Sequence, residues 1–179
     1  MKKLSRFVFS IAGLQLLVVA SLITGCVAPT STNKTIVALQ DPNNEAKAVQ
    51  LAVAAGTTEF LANHQNNQYA PEVVAVADAL ALLAAGNPQN LTGADIAGLV
   101  SATKVNADVA NQATVGITTA LGIFNSAFAV NFPTLKPNYT IFLLAVSNGL
   151  HIGTGGTAVA LPVIPWPPAV VVTAPAPTA

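Results

Sequence analysis

The chain has few charged residues, one cysteine, and no arginine beyond its N-terminal segment. Only 8% of its 179 residues are charged, and arginine is absent after Arg6. From residue 26 onward seven acidic residues face four lysines, a formal charge of about −3. Nucleic acid requires clustered cations against its phosphates, so this composition excludes a nucleic-acid-binding protein. A single cysteine also excludes an internal disulfide, and the fold must be stabilised by packing.

Motifs for phosphate binding and for serine hydrolysis are also missing. The glycine-rich stretch Gly153 to Gly156 lacks the lysine that follows the glycines of a phosphate-binding loop, and we interpret it as a plain turn. Ser126 and Ser147 lack the flanking glycines of the hydrolase nucleophile motif. We therefore predict that the protein is not an enzyme.

The two histidines, His64 and His151, do not have the sequence spacing of a metal site. Imidazole and carboxylate groups suit zinc, so a site that combines both histidines with Glu59 or Asp78 is chemically conceivable. No zinc motif has this spacing, however. We predict ordinary surface histidines, no bound metal and no cofactor.

The first 26 residues are organised like a secretory signal. A cationic start, Lys2, Lys3 and Arg6, precedes an apolar stretch from Phe7 to Ile23. The end of this stretch lies in the sequence Leu22-Ile23-Thr24-Gly25-Cys26. This pattern resembles the signal peptide of a bacterial lipoprotein, in which an apolar residue and two small residues precede the cysteine. The alternative is a transmembrane helix, because the stretch is nearly long enough to span a bilayer.

The resemblance implies a processing route. Residues 1–25 would be removed, and Cys26 would carry a diacylglycerol on its thiol and an acyl chain such as palmitate on its new amino group. Two or three such chains anchor a protein stably, whereas one chain is marginal. The absence of aspartate at Val27 favours the outer membrane, at its periplasmic face or at the cell surface. The residues recognised by the signal peptidase would be Leu22, Ile23, Thr24 and Gly25.

The rest of the chain divides into three segments by composition. Residues 26–40 contain the small, polar, proline-containing run 28–33, which is typical of a flexible tether. Residues 41–150 show helical periodicity and form the predicted domain. Residues 151–179 are rich in glycine and proline, with six prolines after residue 161. That composition favours an extended tail over a packed element.

Two helices are predicted in the first half of the domain. The first begins at Pro42, a residue suited to the first helical position, and ends at the polar run 63–68. The second begins near Pro71 and ends at Gly86, where a glycine cap is expected before a proline. The apolar face of the first helix is predicted at Val49, Val53, Gly56 and Phe60. The core stripe of the second is predicted at Val73, Val76, Ala77, Leu80 and Leu83.

Thr92 opens the third predicted helix. Thr92 and Asp95 have the spacing of a capping box, in which each residue satisfies a backbone amide of the other. Leu91 and Ile96 have the spacing of a hydrophobic staple across the same helix start.

Two more helices complete the predicted domain. The fourth is uncharged from Val109 to Val130, and its predicted core face is Ile117, Leu121, Phe124 and Phe128. Asn138 can cap a fifth helix, which runs from Tyr139 to Asn148 and is closed by Gly149. The sequence therefore predicts an all-α bundle of four to five helices.

The uncharged region 109–150 has two interpretations. In the first, its two helices form the core of the bundle. In the second, they form a hairpin that inserts into a membrane or assembles into an oligomer, since the longer segment approaches spanning length. Several threonines, an asparagine and a serine lower the hydrophobicity of that segment, and the shorter one cannot span.

The tail offers a candidate contact with a partner. Polyproline-II segments bind apolar grooves at low entropic cost, and Pro165, Trp166 and Pro167 place the only tryptophan within such a segment. The stretch Ala158 to Leu161 is compatible with a strand.

Together these features predict a lipid-anchored envelope protein with a structural or interaction role and an envelope protein as its partner. One alternative is the membrane-inserting assembly through residues 109–150. The other is a hydrolase of envelope polymers, which requires a pocket with a general acid–base carboxyl group. The residues available for that pocket are Glu59, Glu72, Asp78 and His64.

Overall fold

The computed structural model describes residues 42–64, 68–131 and 136–163. They form five helices: α1 (Pro42–Ala62), α2 (Ala70–Ala85), α3 (Gly93–Ala102), α4 (Ala107–Asn131) and α5 (Tyr139–Gly153). No strand occurs within these three ranges, and the stretch from Ala158 to Leu161 is extended without a sheet partner. The predicted all-α bundle of four to five helices is confirmed.

Helix α5 occupies the centre of the bundle. Its side chains are buried almost continuously from Ile141 to Leu150, because the helix has no Asp, Glu, Lys or Arg that would have to stay at a surface. Helix α1 runs parallel to α5. Helix α2 runs antiparallel to α5 on another side. The Ser147 hydroxyl donates to the Ala77 carbonyl at 2.8 Å, and the Thr140 hydroxyl donates to Asn87 Oδ1 at 3.0 Å. A helix that is apolar all round must be enclosed in this way.

Helices α3 and α4 form an antiparallel hairpin that closes another side of the core. The predicted core face of α4 is confirmed, because its four apolar residues, including Phe124 and Phe128, are all buried. The Phe124 ring lies 5.1 Å from that of Phe142 on α5, a distance typical of favourable aromatic pairs. The predicted core residues of α2 are buried as well, except that Leu83 is half-buried against the core.

Helix α1 buries a face slightly different from the predicted one. Val49, Val53 and Phe60 are only partly buried. The residues of α1 with the least exposure are Ala46, Ala54, Thr57 and Leu61. Ala54 and Thr57 lie opposite Gly153 of α5, and Val53 lies opposite Gly149, so the two helices approach closely at the glycines.

Glycine positions account for two further corrections. Gly149 does not close α5: the helix continues to Gly153, because contact with α1 outweighs the helix cost of glycine, about 1 kcal/mol. The domain therefore extends beyond residue 150. At the end of α2, Gly86 has φ −73° and remains right-handed. The left-handed residue is Asn87, at φ 50°, and asparagine tolerates this conformation better than most residues.

The predicted start of α3 is confirmed in detail. The Thr92 hydroxyl accepts from the Asp95 backbone N–H at 3.2 Å, and Asp95 Oδ2 accepts from the Thr92 backbone N–H at 2.8 Å. Leu91 and Ile96 are both buried, as a hydrophobic staple requires. The hydrogen bonds from Thr92 hold the pKa of Asp95 below its ordinary value of 3.8, because they favour the ionised carboxylate.

Replacing Thr92 with alanine should reduce the free energy of unfolding by about 1 kcal/mol, the usual contribution of an N-cap.

Asp95→Asn should reduce the free energy of unfolding by an amount that depends on pH. A lowered folded-state pKa contributes stability that is present above the unfolded-state value and disappears as pH falls through the folded-state value. Urea denaturation of both variants from neutral to strongly acidic pH checks this. A constant difference between wild type and Asp95→Asn at every pH would contradict the assigned linkage.

Candidate functional site

The residues for which the sequence predicts lipid attachment and partner contact lie outside the described ranges. These are Cys26, the recognition residues Leu22, Ile23, Thr24 and Gly25, and the tail residues Pro165, Trp166 and Pro167. The structure instead shows how the candidate chemical groups of the bundle are used, and where the chain enters and leaves it.

His151 forms a pair that sequence reasoning missed. It lies in the last turn of α5, not in the predicted extended tail, and its Nε2 is 3.2 Å from Asp78 Oδ1 on α2. The side chains of His151 and Asp78 are 24% and 64% exposed. An exposed pair of this kind contributes little stability. It also supplies only two metal ligands.

His64 has a different environment. Its Nδ1 lies 2.7 Å from the carbonyl of Phe60, one turn earlier, and its ring contacts those of Phe60 and Tyr69. These contacts join the end of α1 to the start of α2. Among the described residues, no group of three histidine, cysteine, aspartate or glutamate side chains is arranged to hold a metal ion.

The acids proposed for a hydrolase are used separately. Glu72 Oε2 accepts from the backbone N–H of Asn106 at 2.6 Å and ties the start of α2 to the start of α4. Asp78 pairs with His151, and Glu59 is exposed on α1. An open groove of about 420 Å³ lies between α3 and α4, lined by residues such as Val100, Ser101, Val105, Asn111 and Thr114. None of the proposed acids or histidines lines it.

Asn148 makes a two-point contact that holds the chain after α5. It is 2% exposed, its Nδ2 donates to the Val159 carbonyl at 2.7 Å, and its Oδ1 accepts from the Val159 N–H at 2.9 Å. The amide thereby replaces the neighbouring strand that an extended segment normally pairs with. We call residues 154–163 the strap. The strap leads back along α5, because Leu161 packs beside Ile141 and Ala145.

Replacing Asn148 with alanine should release the strap while leaving the helices formed. Both hydrogen bonds to Val159 are lost, and each contributes about 1 kcal/mol. Hydrogen exchange measured by mass spectrometry should become faster in residues 157–161 and remain unchanged in α2. Asn111→Ala on the exposed surface of α4 is the matched control, and equal protection of the strap in both variants would show that Asn148 does not hold it.

Helix α4 has an exposed apolar side as well as its buried one. The segment Ala107–Val130, 24 residues, is long and apolar enough to cross a membrane, and 28% of its most apolar window is buried. Val115 and Val130 are largely exposed, and no residue from Val109 to Val130 is charged. A helix at the edge of a soluble bundle has the same properties, so length and composition alone leave both interpretations of α4 in place.

Comparison with known proteins adds no relative. No protein-family model matches the sequence, and neither the curated proteins nor the solved structures give a match.

Proposed function

We propose that this protein is a bacterial envelope lipoprotein, anchored through Cys26, with a structural or interaction role rather than a catalytic one. The observation that carries the proposal is the sequence Leu22-Ile23-Thr24-Gly25-Cys26 at the end of an apolar segment with a cationic start. The proposed partner is another envelope protein, and the proposed location is the outer membrane, at its periplasmic face or at the cell surface.

The use of polar groups in the bundle supports a non-catalytic role. Ser147, Asn148 and Glu72 each bond to the backbone of another segment. The candidate acids and histidines of an active site are distributed over separate contacts, and the groove between α3 and α4 contains none of them. The hydrolase alternative is therefore less favoured than an interaction module.

Replacing Cys26 with serine should abolish acylation, and once residues 1–25 are also removed it should release the protein from membranes. The thiol is the acceptor of the diacylglycerol, and without it no acyl chain holds the domain. Intact mass spectrometry of the wild type should give a chain that begins at an acylated Cys26. Membrane fractionation should place the wild type in the membrane pellet.

The same experiment contains the outcomes that oppose the proposal. A wild-type mass that still includes unmodified residues 1–25 would identify the N-terminal segment as a transmembrane helix. A conservative control is Thr24→Ser, which keeps a small residue before the cysteine and should leave both mass and membrane attachment as in the wild type.

A second candidate function rests on α4. Its length, its lack of charged residues after Asp108 and its largely unburied surface favour a helix that inserts into a membrane or joins an oligomer. For this candidate, a Cys26→Ser protein without residues 1–25 should remain in the membrane fraction. Recovery of that protein as a soluble species would reject insertion through residues 109–150.

A further inference from the structure

The strap presents an unpaired backbone edge to solvent. Asn148 contacts both the N–H and the carbonyl of Val159, at 2.9 and 2.7 Å. A single planar amide reaches both groups only where they point to the same side, as they do in an extended residue. The side of the strap that faces α5 is therefore taken by Asn148, and the opposite side faces away from the bundle.

The geometry of the peptide bond determines where the neighbouring groups point. The carbonyl of one residue and the N–H of the next lie on opposite sides of a trans peptide bond, and no cis bond occurs among the described residues. Because the N–H and carbonyl of Val159 point to Asn148, the Ala158 carbonyl and the Ala160 N–H point away from α5. Neither group has a hydrogen-bond partner in the part of the chain that the structure describes, and both alanines are exposed.

The outward edge lacks the residues that usually prevent one strand from pairing with another. Natural edge strands are protected by charged side chains or by proline. The strap has no charged residue, and its proline, Pro162, comes only after the segment 157–161. An approaching extended chain therefore meets a free acceptor at Ala158 and a free donor at Ala160.

This edge is complementary to itself. The outward acceptor precedes Val159 by one residue, and the outward donor follows it by one. A two-fold axis between two Val159 residues therefore brings the Ala160 N–H of each copy to the Ala158 carbonyl of the other, as in an antiparallel pair. Each bundle lies behind its own strap, so the paired straps separate the two bundles, and the uncharged straps do not repel each other.

We propose that the strap pairs with the strap of a second copy of this chain, antiparallel and centred on Val159. The pair buries little surface, and a few hydrogen bonds do not offset the freedom that two molecules lose on association in dilute solution. Copies held on one membrane meet at a much higher effective concentration. This inference therefore rests on the proposed anchor at Cys26, and it gives the proposed interaction role one specific partner.

Disulfide trapping tests both the pairing and its register. The protein is reconstituted into phosphatidylcholine vesicles with Cys26 acylated, so that a cysteine introduced into the strap is the only free thiol. The two residues at position 159 would have Cα atoms about 4.5 Å apart, within the range of a disulfide. Val159→Cys should therefore form a covalent dimer on mild oxidation. Ala158→Cys should not, because its counterpart lies about 7 Å further along the partner strand.

Two further variants serve as controls. Leu51→Cys on α1 is matched in exposure, at 67% against 70% for Val159. We expect Val159→Cys to crosslink at least about tenfold faster, since trapping follows the population of the pair. Adding Ala160→Pro to Val159→Cys removes the outward N–H and keeps residue 159 extended against Asn148. This combination should lower the rate to that of Leu51→Cys.

Three results would overturn the proposal. Equal rates for Val159→Cys and Leu51→Cys would show that the straps meet only by random collision. A fast rate for Val159→Cys that persists with Ala160→Pro would show that the contact does not use the backbone edge. Faster crosslinking of Val115→Cys than of Val159→Cys would place the contact between copies on α4.

A failure of the anchor can be separated from a failure of the pairing. If intact mass shows no acyl chains, residues 26–179 with Cys26→Ser are attached to the same vesicles through an N-terminal histidine tag and a nickel-chelating lipid. Faster crosslinking of Val159→Cys than of Leu51→Cys in that preparation supports the pairing whatever the natural processing is. Equal rates there reject it.

Discussion

Replacing Gly149 or Gly153 with alanine should greatly reduce the stability of the bundle. A Cβ atom at Gly149 would lie 2.6 Å from the Gln50 carbonyl oxygen and 2.7 Å from Val53 Cβ. A Cβ at Gly153 would meet Thr57 and lie 2.9 Å from the Ala54 carbonyl oxygen. Backbone oxygens of a packed helix cannot move aside, so α1 and α5 must separate.

The expected loss follows from two opposing effects. Overpacking costs about 1–3 kcal/mol and more where the backbone must shift. Alanine in place of glycine within a helix stabilises the helix by about 1 kcal/mol. Since α5 is the centre of the core, separation from α1 affects most of its contacts. We expect a net loss of about 2 kcal/mol for each variant, and a larger loss for the double variant, from urea denaturation followed by circular dichroism.

The chain offers matched controls for this prediction. Gly98 in α3 and Gly122 in α4 also lie inside helices, but a Cβ at either position would meet nothing within 4 Å. Gly98→Ala and Gly122→Ala should therefore stabilise the protein by about 1 kcal/mol. If Gly149→Ala behaved as these controls do, the close approach of α1 and α5 would be wrong.

Replacing Phe142 with alanine should cost about 3–5 kcal/mol, the usual effect of removing a buried aromatic ring. Phe142 is fully buried in the first turn of α5, and its ring packs against that of Phe124 on α4. The cavity would open between the central helix and the α3–α4 hairpin. The free energy of unfolding of a domain of this size is about 5–15 kcal/mol, so the variant should unfold at a much lower urea concentration than the wild type.

Leu82→Ala is the control for the loss of a large apolar side chain. Leu82 is 76% exposed on α2, and its truncation should change the free energy of unfolding by at most about 0.5 kcal/mol. A Phe124→Leu variant, alone and combined with Phe142→Ala, measures the coupling between the two rings. Strict additivity of the two losses would mean that the ring contact adds nothing beyond burial.

Local signals in the sequence were sufficient for the starts of helices and for one buried face. The capping box at Thr92 and the cap at Asn138 depend on residues three positions away, and both form as predicted. The apolar face of α4 follows from helical periodicity and is confirmed. In each of these features the interacting residues are close together in the chain, so a local sequence pattern is sufficient to predict them.

Long-range contacts account for what was predicted wrongly or missed. Asn148 belongs to a helix and Val159 to a segment compatible with a strand, and no pattern links the two. The pairing of His151 with Asp78 requires α5 to lie against α2, which neither helix indicates. The sequence predicts a helix end at Gly149 because glycine is common just after a helix, and only the presence of α1 makes it a contact residue.

The amino-acid sequence by itself predicted an all-α bundle of four to five helices, most of the helix ends, and the processing motif at Cys26 on which the proposed anchor depends. Each of these is encoded by residues within one or two turns of each other. The tertiary structure decided which helix is central, which glycines bring two helices into contact, and where the strap packs against α5. Those outcomes depend on which surface lies opposite each residue, and that is set only when all five helices pack together.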